Sequence, residues 1–370
     1  MKKDEFDLKG NHSLSEVLKI KWIIISMTPV TMLLNHILSN YPGWIEQYYS
    51  VGINKYIRQI LSDVSSVYPY SVAEILSIIL GLIFLAFLMI LIFKAVKGGF
   101  LRQLVTLLCY LSSLYLLFMV LWGFNYNRVS LDRLMGLEMC NSNEQDLFVL
   151  CENLVLEANS LREVVKEDHR GVMMVEGGYE SVFKRAGIGY ENVSQTIPQL
   201  KGEYGLPKAV LFSEIMNYIG ICGMYMPYTG EANININVPD LLLPSTVMHE
   251  MAHQRGFSPE DEANYIAYLT CLAHPDPDFR YSGTMLALIY ATNALAQLDE
   301  AAFFTIRELY SEDVMRDLIA YTDFWKKYQG RTQKIAQDVN NVYLKTNGET
   351  EGIKSYGKMV DLLLAAYRQK

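Results

Sequence analysis

The sequence predicts a mainly α-helical chain in two parts. Three N-terminal transmembrane helices fall within residues 1–124, and a predominantly helical domain with a small β-sheet follows over residues 125–370. Three observations carry this reading. Ile75–Phe93 and Leu104–Trp122 are runs of 19 residues each without a charge. His249, Glu250 and His253 sit at i, i+1 and i+4, which puts both imidazoles on one face of a helix. Asn233–Val238 alternates strictly between Asn and Ile or Val, the period-2 pattern of a strand.

The spans are expected at about 22–38, 72–93 and 104–122. Each uncharged run is long enough to cross a hydrocarbon core of about 30 Å. The first span, Trp22–Leu38, is weaker, with Asn35 and His36 near its end. No small-residue cleavage site follows it, so a retained signal anchor is the better reading. Lys2, Lys3, Lys9, Lys19 and Lys21 precede it, and Lys94, Lys97 and Arg102 fill the short connection between the second and third spans. Basic flanks stay in the cytoplasm, so the N-terminus is expected inside and everything after Trp122 outside, in a multi-pass cell-membrane protein. The connection Tyr41–Tyr70 holds only Lys55 and Arg58 as cations and is rich in Tyr, with Trp44. It suits a membrane interface, or an amphipathic helix resting on the bilayer or on the domain.

Within the domain, helices are expected at 143–167, 179–186, 283–298, 300–309, 311–328, 330–345 and 353–368. The strand at 233–238 admits two readings. It either pairs with an extended substrate by β-augmentation or is an ordinary sheet strand whose Asn side chains face water. A net charge of −8, with no basic patch, excludes nucleic acid as a partner. There is no internal repeat and no Gly-rich phosphate loop. Cys109, Cys140, Cys151, Cys222 and Cys271 show no C-x-x-C spacing and read as buried apolar residues, with one disulfide possible.

The chemistry concentrates at His249-Glu250-Met251-Ala252-His253, the H-E-x-x-H pattern of zinc hydrolases. His249 and His253 would hold Zn2+, and Glu250, one residue on, would act as general base. Gly256 is the expected end of the motif helix. Ser258 reads as an N-cap, with Pro259 at the first position of a new helix running to about Ala273. A catalytic zinc needs a third protein ligand and one open position. Glu260 and Glu262 compete for that place. Glu262 lies on the face continued by Tyr265, Ile266 and Leu269, which turns inward, and is preferred. Glu260 in the first turn has an ordinary use beside the helix dipole. Tyr281, after the Pro275–Pro277 turn, is the first candidate for stabilising a developing oxyanion, ahead of Arg280 and Tyr228. His274 is a candidate for supporting the ligands from behind.

Pro259 stands where the metzincin pattern needs its third His, so the arrangement is closer to the gluzincin type, two His plus a downstream Glu. The blocks Tyr225–Asn233, His249–Phe257, Asp261–Asn264, Arg280-Tyr281-Ser282, Asn341–Lys345 and Ser355-Tyr356-Gly357 together resemble a bacterial membrane protein family of unassigned function. That family carries an H-E-x-x-H peptidase-like domain after a short set of membrane helices. The resemblance implies a zincin-like metallopeptidase domain acting on a peptide or protein, and it implies neither a substrate nor an oligomeric state. The motif lacks a surrounding uncharged stretch, since Arg255, Glu260, Asp261 and Glu262 follow it, which speaks against a site inside the bilayer. The alternative from another class is a non-catalytic membrane-anchored interaction protein with a structural metal.

Overall fold

The computed structural model describes residues 2–139, 144–347 and 358–369. Cys140, the Ser355-Tyr356-Gly357 run and positions 353–357 of the expected last helix lie outside the described residues. Among the described residues, three helices are long and apolar enough to cross a membrane: Glu16–Leu38, Val72–Lys97 and Phe100–Leu121. The first belongs to a continuous helix, Lys2–Leu38, so it starts well before the expected Trp22. Ser71 caps the second by accepting from the amide of Glu74, which is the spacing of a capping box. The two orphan amides beside that cap, Val72 and Ala73, donate to the carboxylate of Glu231 at 3.1 and 2.6 Å. A strand of the domain therefore caps a membrane-type helix. Gly98 and Gly99, both at positive φ, make the tight turn between the second and third helices.

The connection between the first two apolar helices folds as a π-helical turn, Ile45–Ile53, and a helix, Asn54–Ser66. Its polar side faces inward: Glu46, Asn54, Arg58 and Ser62 are all buried. Arg128, just past the third apolar helix, forms a two-pronged pair with Glu46 at 2.7 and 2.9 Å. This segment lies on the domain, as one of its two expected readings had it.

The domain is mostly helical. The expected helices appear as Glu144–Arg162, Gly178–Arg185, Pro277–Leu298, Glu300–Arg307, Glu312–Lys326 and Arg331–Thr346, with Met359–Arg368 as the described part of the last. Long-range packing gathers around Pro277–Leu298, whose Phe279, Met285, Ala287, Leu288, Ala291 and Leu295 are fully buried. Among the described residues one small sheet completes it, in the order β1 (Lys208–Ala209), β3 (Glu231–Ile234), β2 (Gly223–Met226). β3 pairs parallel with β1 and antiparallel with β2.

The sheet corrects one expectation. β3 is the central strand, paired on both sides, so it offers no edge to a substrate. Of the expected 233–238 run only Asn233 and Ile234 lie in β3, and of its Asn side chains only Asn237 faces water. Asn233 and Asn235 are buried and brace the sheet: Asn233 donates to the carbonyls of Met224 and Glu231, and Asn235 to Asn217 Oδ1 and the Ile221 carbonyl. Across Asn233–Asn235 the alternation reports two different buried surroundings. The edge strands are β1 and β2.

Candidate metal centre

The motif helix runs Leu243–Gln254 and packs against the next helix, Glu260–Leu272, and against β2 and β3. It ends as the sequence predicts, with Gly256 in the left-handed conformation at φ 84°. The amide of Phe257 bonds to the carbonyl of Ala252 and that of Gly256 to His253, the paired bonds of a Schellman cap. Two further terminal carbonyls are satisfied from the membrane-proximal segment. Arg58 donates to the carbonyl of Arg255 at 3.1 Å, and Arg128 donates to that of Gly256 at 2.9 Å. The turn brings Pro259 and Glu260 back beside the histidines. The new helix starts at Glu260, with Pro259 and not Ser258 in the cap position.

His249, His253 and Glu260 converge. One donor atom from each lies within 4.8 Å of the others. Glu260 Oε2 is 3.1 Å from His249 Nε2 and 3.7 Å from His253 Nε2. The imidazoles stand perpendicular, 4.6 Å between centroids. His253 Nδ1 meets the Phe257 carbonyl at 2.7 Å, so the helix cap orients this ring and turns Nε2 to the cluster. The ring of Trp122 closes the other side edge-on, at 5.7 Å. Burial works against a charge on His253, but the Glu260 carboxylate outweighs it and raises the imidazole to about 9. Burial likewise opposes ionisation of Glu260, yet His253 and His249 hold it well below the usual carboxylate range. Two imidazoles and a carboxylate with donor atoms this close form a set that suits a divalent cation.

Glu250 is not part of that cluster. Its carboxylate is buried under β2, and Oε2 has no hydrogen-bond partner. Burial raises it above the usual carboxylate range, while the two histidines and the Tyr225 amide pull it down. Gly223 makes this approach possible: a Cβ there would lie 2.5 Å from Glu250 Oε1. Nothing in the sequence marks Gly223, because its requirement comes from a residue 27 positions away in sequence.

Three expectations fail here for stated reasons. Glu262 is not beside the histidines. Residues i and i+2 of a helix point to nearly opposite sides, so Glu262 faces the core, where Oε1 accepts from the amide of Leu131 at 2.8 Å. Burial, then Asp261, lifts its carboxyl to about 8, so it is held largely protonated at neutral pH. The inward face that the periodicity identifies is a packing face, and the carboxylate that joins the histidines, Glu260, comes from the first turn of the helix. Tyr281 is fully buried away from the cluster and donates to Asp317 at 2.8 Å, alongside Arg162. Of the two weaker candidates, Arg280 is exposed and Tyr228 donates to Leu114 of the third apolar helix. His274 stacks on Phe279 at 3.9 Å and its Nε2 faces the carbonyl of Arg185, so it serves packing.

A phenol that feels the Glu260 charge is Tyr290, on Pro277–Leu298. Burial and then the Glu260 charge push its hydroxyl up, and it accepts from Asn264 of the ligand helix at 3.3 Å. Among the described cysteines, Cys109, Cys151, Cys222 and Cys271 are all free.

No curated protein and no solved structure matches this chain. The family described as "Protein of unknown function (DUF3810)" matches residues 49–364, a stretch that takes in helix Asn54–Ser66, the sheet and the whole His249–Glu260 cluster, and the chain belongs to that family.

Proposed function

We propose that this chain is a membrane-anchored zinc-dependent peptidase, with its N-terminus in the cytoplasm and residues 125–370 outside. One observation carries the reading: His249, His253 and Glu260 offer three converging donors while Glu250, next to them, stays uncoordinated and buried. A purely structural cation has no use for such a base. Zinc, when bound, polarises a carbonyl oxygen and makes water a better nucleophile. Glu250 takes the proton from the attacking water and returns it to the departing amine. Tyr290 is the proposed donor to the oxyanion that develops, a choice supported by its coupling to Glu260. An extended peptide laid along the outer edge of β2 passes over Glu250.

The full chain, purified in detergent, should hold zinc in a one-to-one ratio and cleave members of a fluorogenic peptide library, with hydrolysis lost on chelation and restored by zinc. Zinc-free protein with no hydrolysis after zinc addition would reject the reading. Reporter fusions after Tyr126 and within 94–102 should report opposite compartments; a cytoplasmic result after Tyr126 would invert the topology. Tyr290→Phe should lower kcat by about 10²-fold with zinc retained, the usual loss for one oxyanion donor. Tyr281→Phe should instead cost about 1–3 kcal/mol of stability by leaving buried Asp317 short of a partner, with kcat of the folded protein unchanged.

A further inference from the structure

The helix Asn54–Ser66 is amphipathic with its faces reversed. Its polar residues Asn54, Arg58 and Ser62 are buried in the domain, while Ile53, Tyr56, Ile60, Val64 and Val67 are 69, 65, 61, 62 and 77% exposed. These five follow the i, i+3, i+7 spacing of one helical stripe. The helix is joined to the first apolar helix on one side and the second on the other, so both of its ends are tied to the same membrane face. Its inner face holds the end of the metal motif: Arg58 donates to Arg255, and Ser62 Oγ accepts from Gln254 at 3.0 Å. Trp122 places the metal centre by a second route. It directly follows Phe100–Leu121, a helix of 22 residues, about 33 Å and so just enough to cross a bilayer core. Its ring touches that of His253. A third contact agrees. Helix Arg331–Thr346 exposes Ile335, Val339 and Val342, and its Tyr343 packs on Phe118 near the end of the same span.

Resting on the peptidase reading, we infer that the substrates are polypeptides anchored in the same membrane and cut in the few residues outside their span. The apolar stripe of Asn54–Ser66 lies in the lipid interface, as amphipathic helices with an exposed apolar stripe do. The metal centre then stands about one helix diameter, ~10 Å, above the lipid. A chain leaving the bilayer covers that height in about three to four extended residues. Anchoring also supplies substrate at high local concentration, so the site needs little affinity of its own.

Cells carrying the native chain and cells carrying Glu250→Gln should be compared by labelling new protein N-termini in the membrane fraction. Termini that require Glu250 should fall within about ten residues of a transmembrane segment, on its outer side. Glu250-dependent termini spread over soluble proteins or far from any span would overturn this inference and leave the peptidase standing. Absence of any Glu250-dependent terminus would overturn the peptidase reading itself, and this inference with it. The substrate so identified provides the second arm. Ile60→Glu with Val64→Glu should slow cleavage of its anchored form by roughly a hundredfold, by removing co-localisation on one surface, yet leave cleavage of a soluble peptide carrying the same site unchanged. Equal rates on the anchored form for the native and the double-substituted protein would sink the lipid contact, and parallel losses on both forms would mark it as structural.

Discussion

Glu250→Gln should keep zinc and the fold while losing hydrolysis by about 10²–10⁴-fold, the usual contribution of a general acid–base group. The amide has the size of the carboxylate but no basicity. Gly223 sits against this side chain with no room to spare, and glutamine needs none. Retained metal is expected because Glu250 is not one of the three converging donors His249, His253 and Glu260. The substitution also relieves the cost of burying a carboxylate whose Oε2 lacks a partner, so stability should hold or rise. Thermal unfolding, zinc content and peptide hydrolysis read these three outcomes separately. Undiminished hydrolysis would remove Glu250 from the mechanism. Unaltered cellular behaviour of the variant, against a clear phenotype on full deletion, would favour a non-catalytic anchor.

Glu260→Gln should weaken zinc binding by more than the roughly 10–100-fold that changes behind the ligands cost. Glu262→Gln should leave zinc affinity nearly intact. The reason lies in where each carboxyl points: Glu260 Oε2 is 3.1 Å from His249 Nε2, whereas Glu262 reaches the amide of Leu131 on the far side of the helix. Because burial already holds Glu262 largely protonated at neutral pH, an amide there replaces one neutral group by another. Titration of the apo-protein with zinc against a competing chelator measures both. A larger loss from Glu262→Gln than from Glu260→Gln would reject the ligand set proposed above.

The sequence by itself determined the apolar helices, the helix order of the domain and the core of the motif. These are properties of short stretches. A run of 19 uncharged residues, the i, i+4 spacing of His249 and His253, and the left-handed cap at Gly256 depend on local geometry, and local geometry survives folding unchanged. Periodicity also found the inward face of the ligand helix, but an inward face is defined by packing and not by chemistry. It therefore pointed to Glu262, which fills the core, and passed over Glu260, which the turn at Gly256–Pro259 swings back to the histidines. The same holds for Tyr281 and Tyr290. Both are tyrosines on Pro277–Leu298, nine residues apart, and only the helix's rotation against its neighbours sets one on Asp317 and the other near Glu260. Strand order likewise came from pairing across distant segments: alternation showed a strand near Asn233 but not that it is central, between β1 and β2. The tertiary structure alone revealed that the polar side of Asn54–Ser66 is the buried one. An amphipathic pattern states that two faces differ, and only the partner, here the end of the motif helix, decides which of them is turned inward.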